Sequence, residues 1–154
     1  MTNKMRLANS IQIRVFSKEY EDSDKILEGL KELVALDIEK EKIKLMSQTA
    51  IGFNEAKIKI FAVILEKERH MRAFLRHLIG KFTEDQKELL LRQKESRLDE
   101  ELNFFIRLDR EKFLKDRIFW ITDSGNCYHI TISIAAFPKK RDVALVVIEK
   151  MLED

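Results

Sequence analysis

Alternation of apolar and polar residues marks most of the strands predicted along this chain. The first such segment, residues 10–16, places isoleucine or valine at every second position, which is typical of a half-buried strand. Similar patterns predict strands over 42–48, 56–66 and 102–108, and over the two arms, 117–122 and 127–136, of a hairpin. The turn of this hairpin is the sequence Asp123-Ser124-Gly125-Asn126. In the strand over 56–66 we expect Ile58, Ile60 and Ala62 to share one side.

Apolar residues at helical spacing predict helices over 23–35, 67–80 and 84–100, a short helical turn at 110–115, and a final helix from Pro138 to about residue 152. Asp22 or Ser23 can cap the first helix, and Thr83 with Gln86 has the spacing of a capping box. The pattern predicts an α+β fold, a single-domain two-layer sandwich whose mixed or antiparallel sheet is covered on one face by helices. We expect residues 1–9 to form a flexible leader and residues 10–154 to form one domain.

Composition narrows the class of protein without naming a function. The 154 residues carry 29 basic and 27 acidic side chains, a formal charge of +2, so any affinity for nucleic acid must come from local clusters of cations. The single cysteine, Cys127, excludes an internal disulfide and a multi-cysteine zinc site, and it indicates a reducing cytoplasm. No apolar run reaches the ~18 residues of a membrane span, so we expect no membrane partner.

The chain lacks the sequence signatures of an enzyme. No nucleophile elbow, phosphate loop or dinucleotide fingerprint is present. His70 and His77 are seven residues apart, whereas helical metal sites use a spacing of four. We therefore expect no catalytic residues, no bound metal and no cofactor.

The predicted open face of the sheet collects basic and aromatic side chains, and two interpretations of it remain open. Basic groups can pair with phosphates and exposed aromatic rings can stack on bases, as on sheet platforms that bind RNA. Alternatively, the cations solvate an open sheet while Phe16, Phe61 and Phe105 pack under a loop, a helix or a partner subunit. The residues predicted for this face are Gln12, Arg14, Phe16, Lys44, Lys57, Lys59, Phe61, Asn103, Phe105 and Arg107.

The basic cluster Lys139-Lys140-Arg141 follows Pro138 at the predicted start of the last helix. Three cations beside the unbonded backbone N–H groups of a helix N-terminus form a candidate anion site. We expect Arg107 and Arg110 to lie near this cluster. A second basic stripe, Arg69, Arg72 and Arg76 at helical spacing, fits either a phosphate contact or a solvated helix face.

Several short motifs resemble those of an archaeal family of small uncharacterised proteins described as predicted RNA-binding proteins or exosome subunits. They are the segments 20–27 (YEDSDKIL), 97–103 (RLDEELN), 107–110 (RLDR), 123–125 (DSG) and 136–141 (AFPKKR). The resemblance implies a fold similar to that of the 5S-rRNA-binding ribosomal protein, and an RNA role. The family positions matched here are Arg107, Asp109, Arg110, Pro138, Lys140 and Arg141.

Two functional hypotheses follow. The first is a non-catalytic RNA-binding accessory protein, linked to RNA processing or the archaeal exosome, with Lys139, Lys140, Arg141, Arg107 and Arg110 as RNA-binding residues. The second is a structural or protein-interaction domain that associates with itself and binds no RNA. The cluster Leu89–Leu91 and the aromatic strand positions predict a homodimer in either case.

Overall fold

The structure of the protein, a computed structural model, describes residues 5–153. Its strands are β1 (Ala8–Lys18), β2 (Lys44–Ile51), β3 (Lys57–Leu65), β4 (Asn103–Asp109) and β5 (Cys127–Ile134). Its helices are α1 (Ser23–Val34), α2 (Glu68–Lys81), α3 (Glu84–Arg92), α4 (Arg110–Asp116) and α5 (Arg141–Glu153), with a short 3₁₀ turn at Phe53–Glu55.

The strands form one open antiparallel sheet in the order β2-β3-β1-β5-β4, and the five helices pack on it. The α+β fold predicted from the sequence is confirmed. As predicted, β4 and β5 bury one face and leave the other partly exposed. The fully buried positions include Phe104, Ile106, Ile130 and Ile132, and the residues between them are not buried.

The described chain groups into two compact units. The first contains the chain up to Ile11, Glu66–Phe105 and the chain from Thr131 onward, and the second contains Gln12–Leu65 and Ile106–Ile130. The single domain over 10–154 stays a prediction. Strand β1 begins at Ala8, so the end of the predicted leader belongs to the sheet, and residues 1–4 lie outside the described residues.

Side-chain caps fix the starts of three helices. Of the two predicted caps, Asp22 and Ser23, it is Asp22 that accepts a hydrogen bond from Lys25 N at the start of α1. Thr83 and Gln86 form the predicted capping box of α3, each bonding the other's backbone N–H. Asp109 caps α4 by accepting from Lys112 N, so β4 passes directly into this helix.

The helix predicted over 84–100 is wrong in its length, because α3 ends at Arg92. The following segment turns back onto β4: the carbonyl of Arg97 accepts from Phe105 N, and Leu98 forms a bridge with Phe104. Leu98 is 4% exposed. Burial of Leu98 and pairing with β4 end the helix here, although no glycine or proline marks the stop.

The predicted hairpin of 117–122 with 127–136 is also wrong. The segment before the turn pairs with β4 instead of β5: Ile121 bridges Leu108, Thr122 N donates to the carbonyl of Arg107, and Asp109 N donates to that of Trp120. A turn signal fixes where the chain reverses, but it does not fix which strand each arm pairs with.

Strand β3 presents the opposite face from the one predicted. Phe61, Val63 and Leu65 are at most 5% exposed, and Lys59 Nζ lies 3.5 Å from Ser23 Oγ in α1. These residues share one side of β3, so Lys57, Lys59 and Phe61 face the helices and not the open side. The error arises because β3 carries apolar residues on both faces, which removes the polar alternation that orients a strand.

No helix within residues 5–153 is long and apolar enough to cross a membrane.

Candidate nucleic-acid interface

A shallow pocket of about 230 Å³ lies on the open face of the sheet in the second unit. β1, β4 and β5 supply its strand residues, because alternate positions of these strands turn away from the core. Val15 and Tyr128, which are at most 1% exposed, face the core beside them. The side chains that line the pocket include Arg14, Phe16, Arg107, Arg110, Asn126, Cys127 and His129.

Arg14 is the central cation of this pocket. Its guanidinium carbon lies 5.4 Å from the centre of the Phe16 ring, within the range of a cation–π contact. An Nη atom of Arg14 also lies 3.2 Å from Nδ1 of His129 on the neighbouring strand. Phe16 is 50% exposed, so its ring is available to a ligand while Arg14 is held beside it.

His129 lies on β5, between the strands that carry Arg14 and Arg107. Burial and the positive charges of Arg107 and Arg14 together lower the pKa of His129 to about 4, with burial the largest cause. The imidazole is therefore neutral at neutral pH. In that form Nδ1 accepts the hydrogen bond from Arg14, and the charge of the pocket comes from its arginines.

Arg110 lines the same pocket but is a buried residue, with 3% of its side chain exposed. Its guanidinium donates to the carbonyl of Phe16 at 2.8 Å and forms ion pairs with Glu21 and Glu111. Burial alone would raise the pKa of Glu21, but hydrogen bonds from Arg110 and from Lys18 N lower it. Arg110 thus ties β1, the Glu21 turn and α4 together.

The Cys127 thiol lines the same pocket and is half-buried. Burial raises the pKa of the Cys127 thiol, although Arg107 and Arg14 oppose the shift, so the thiol is protonated at neutral pH. Within residues 5–153 no cluster of three histidine, cysteine or acidic side chains could hold a metal ion.

The basic cluster Lys139-Lys140-Arg141 belongs to the first unit, and α5 begins at its third residue. All three side chains are exposed, and Phe137 beside them is 96% exposed. Arg141 already has partners, because its guanidinium donates to the carbonyls of Glu95 at 2.6 Å and Leu98 at 3.0 Å. It therefore anchors the segment after α3 to the start of α5.

The residues predicted from the sequence thus fall on two surfaces. Arg107 and Arg110 share the sheet-face pocket, and Lys139, Lys140 and Arg141 lie at the start of α5. Arg14 and Phe16 were expected on the open face and are found there. The sequence did not single out Asn126 or His129, because only the strand order reveals that β5 lies between β1 and β4.

The fold and this surface define a class: a small α+β protein whose open sheet face gathers arginines around an exposed aromatic ring. The chain belongs to the family described as "RNA binding", whose model matches residues 10–135. That segment contains every residue of the sheet-face pocket and ends before Phe137.

Relatives of the chain are archaeal proteins. It is 26% identical to RNA-binding protein PAB1135 of Pyrococcus abyssi, across 99% of this chain and 98% of that protein. It is 30% identical to the uncharacterized protein MJ0213 of Methanocaldococcus jannaschii, across 69% of this chain and 71% of that protein.

Two solved structures share the fold. Protein AF2318 from Archaeoglobus fulgidus superposes with a TM-score of 0.82 at 20% identity, covering 94% of this chain and 99% of that one. Mth689, a DUF54 protein from Methanothermobacter thermautotrophicus, superposes with a TM-score of 0.75 at 25% identity, covering 95% and 98%.

Proposed function

We propose that this chain is a non-catalytic RNA-binding protein that holds RNA against the open face of its sheet. The observation that carries the proposal is the placement of Arg14 over the half-exposed ring of Phe16, in a shallow pocket shared with Arg107. Cations beside an aromatic ring on an open sheet match the two chemical groups of an unpaired nucleotide, its phosphate and its base.

Each side chain of the pocket has a distinct role in the proposal. Arg14 and Arg107 contact phosphate oxygens, and Phe16 stacks on a base. Arg110 does not contact RNA; it is a positioning residue that holds the Phe16 backbone through the carbonyl. Because phosphate contacts and stacking carry little sequence information, binding is tolerant of sequence and sensitive to salt.

The start of α5 supplies a second RNA contact in this proposal. Lys139 and Lys140 contribute phosphate contacts, and the exposed ring of Phe137 offers another stacking surface. Arg141 contributes through its position, since its guanidinium already bonds two backbone carbonyls. The family description and the name of the Pyrococcus relative support RNA as the partner.

The resemblance and the single cysteine also suggest where the protein acts and in which process. We place the protein in a reducing cytoplasm, as a homodimer and as an accessory of RNA processing, with the exosome as the processing machinery that the resemblance implies. The competing hypothesis is a self-associating interaction domain that uses the same exposed aromatic residues to bind protein.

Three paired variants test the proposal by fluorescence anisotropy with a labelled single-stranded RNA. Arg14→Ala with Arg107→Ala removes the sheet-face cations, and Lys139→Ala with Lys140→Ala removes those before α5. Lys25→Ala with Lys40→Ala, on α1 and on the loop that follows it, changes the net charge equally elsewhere. We expect the sheet-face pair to lose about 10²-fold in affinity, at roughly 1.5 kcal/mol per charged contact.

The control pair should bind RNA nearly as well as the parent, and the α5 pair should show a smaller loss. Equal losses in all three pairs would mean that RNA senses only net charge, which contradicts a defined site. Phe16→Leu keeps an apolar side chain and removes the ring, so a loss of about tenfold in that variant would report stacking.

A further inference from the structure

A second pocket, of about 330 Å³, lies in the second unit at the start of α1, on the helix-bearing side of the sheet. β1, β2 and β3 place Ser17, Thr49 and Lys59 side by side, since Thr49 and Lys59 are paired residues of the antiparallel ladder. Ser23, the first residue of α1, also lines the pocket, and Lys59 Nζ lies 3.5 Å from its hydroxyl.

The floor of this pocket holds a polar group that lacks a partner within the described chain. Ser17 is 1% exposed, and its hydroxyl makes no hydrogen bond within residues 5–153. Buried hydroxyls are almost always hydrogen-bonded, so an unsatisfied one at the wall of a cavity points to a ligand that completes it.

The charges around the pocket favour an anion. Lys18, Lys57 and Lys59 line it together with the carboxylates of Glu19 and Glu21. Glu21 is ion-paired with buried Arg110, so its charge is already matched. Two positive charges therefore remain in excess around three hydroxyls and the N-terminus of a twelve-residue helix, which itself favours negative charge.

We propose that this pocket binds a phosphate group, with Lys59 and Lys57 as its cations and the hydroxyls of Ser17, Ser23 and Thr49 as hydrogen-bond donors. The phosphate has two sources with the same chemistry: the terminal phosphate of an RNA chain or a small phosphorylated molecule. The site lies on the opposite side of β1 from Phe16, so it is separate from the sheet-face pocket and does not depend on the proposed function.

The test uses inorganic phosphate as the probe and thermal unfolding as the readout, at constant ionic strength set with chloride. A ligand that binds only the folded state stabilises it by RT ln(1 + [L]/Kd), so the melting temperature rises with ligand concentration and the rise reports the affinity. The variants are Ser17→Ala and Lys59→Met, and Lys44→Ala on the opposite face of β2 is the matched control. Ser17→Ala should fold as well as the parent, because the hydroxyl it removes makes no bond within the described chain.

We expect phosphate to stabilise the parent and Lys44→Ala alike, with about tenfold weaker apparent affinity in Ser17→Ala and in Lys59→Met. Absence of stabilisation in the parent, or equal stabilisation of all four proteins, would overturn the site. A 5′-phosphorylated oligoribonucleotide that competes with phosphate better than its 5′-hydroxyl form assigns the phosphate to an RNA end. Competition by a nucleoside monophosphate alone assigns it to a small molecule.

Discussion

Nη1 of Arg110 donates a 2.8 Å hydrogen bond to the backbone carbonyl of Phe16, which links the first residue of α4 to the end of β1. The same guanidinium is paired with Glu21, so one buried side chain holds three segments of the second unit. The backbone that carries the ring proposed to stack on RNA is therefore held by a buried arginine of the pocket.

The first prediction separates the two arginines of β4 and α4. Arg110→Met should lower the free energy of unfolding by about 1–3 kcal/mol, because it leaves the partly buried Glu21 carboxylate and the Phe16 carbonyl without this hydrogen-bond donor. Arg107→Ala should change it by less than about 0.5 kcal/mol, as is usual for a surface position. Urea denaturation of both variants measures the difference. Similar stabilities would show that the buried pair does not hold this part of the fold together.

The second prediction concerns pH. Burial and two arginines lower the pKa of His129 to about 4 in the folded protein, against about 6.5 when unfolded. Between these values the unfolded state binds more protons, so stability falls as the pH is lowered from about 6.5 to 4. His129→Gln should remove about 1–2 kcal/mol of that pH dependence, after allowance for partial exposure. An NMR titration that places the pKa of His129 near 6.5 would refute the arrangement.

The third prediction concerns two helical glycines. Replacing glycine by alanine within a helix ordinarily stabilises it, and at Gly29 we expect the opposite. A methyl group at Gly29 in α1 would overlap the Tyr128 hydroxyl, which itself donates to the carbonyl of Ile26 at 2.8 Å. Gly29→Ala should therefore destabilise the protein by about 1–3 kcal/mol through overpacking. Gly80→Ala, in α2 with open space around it, should instead stabilise by about 0.5–1 kcal/mol. Thermal unfolding gives the two signs directly.

The fourth prediction is the homodimer. Met46 and Ile51 on the edge strand β2, and Phe53 beyond it, are 44%, 73% and 96% exposed, and Phe16 adds further apolar surface. The predicted cluster Leu89–Leu91 exposes less apolar surface for a dimer interface, since Leu90 is fully buried. Sedimentation velocity should detect a dimer at high concentration that Phe53→Ser weakens. A strict monomer over the whole concentration range would exclude it.

The sequence predicts where helices and strands lie along the chain better than it predicts which strands pair and which face of a strand is buried. The first helix was placed to within one residue because Asp22 caps it and its apolar stripe is regular. The partner of the segment before Gly125 was wrong, because local turn chemistry does not encode long-range strand pairing. Likewise, the face of β3 predicted to be open is the one that faces the helices, because both faces of this strand carry apolar residues.

In the candidate site, too, local sequence patterns predict some residues correctly and miss what depends on tertiary contacts. Periodicity placed Arg14 and Phe16 on the open face, since that inference needs only one strand. It could not separate Arg107, at the surface, from Arg110, whose charge is matched by Glu21 far away in the sequence. Burial and pairing are tertiary properties, so two arginines in one short motif looked alike.

The salt dependence of RNA binding tests the central claim most directly. Affinity of the parent for single-stranded RNA should fall steeply between two salt concentrations, because phosphate contacts release bound counterions. Arg14→Ala with Arg107→Ala should bind more weakly and reduce the log–log salt slope by about 1.4, at ~0.7 per lost contact. A parent that binds no RNA at low salt, or a double variant with the affinity and slope of the parent, would contradict RNA binding at the sheet face.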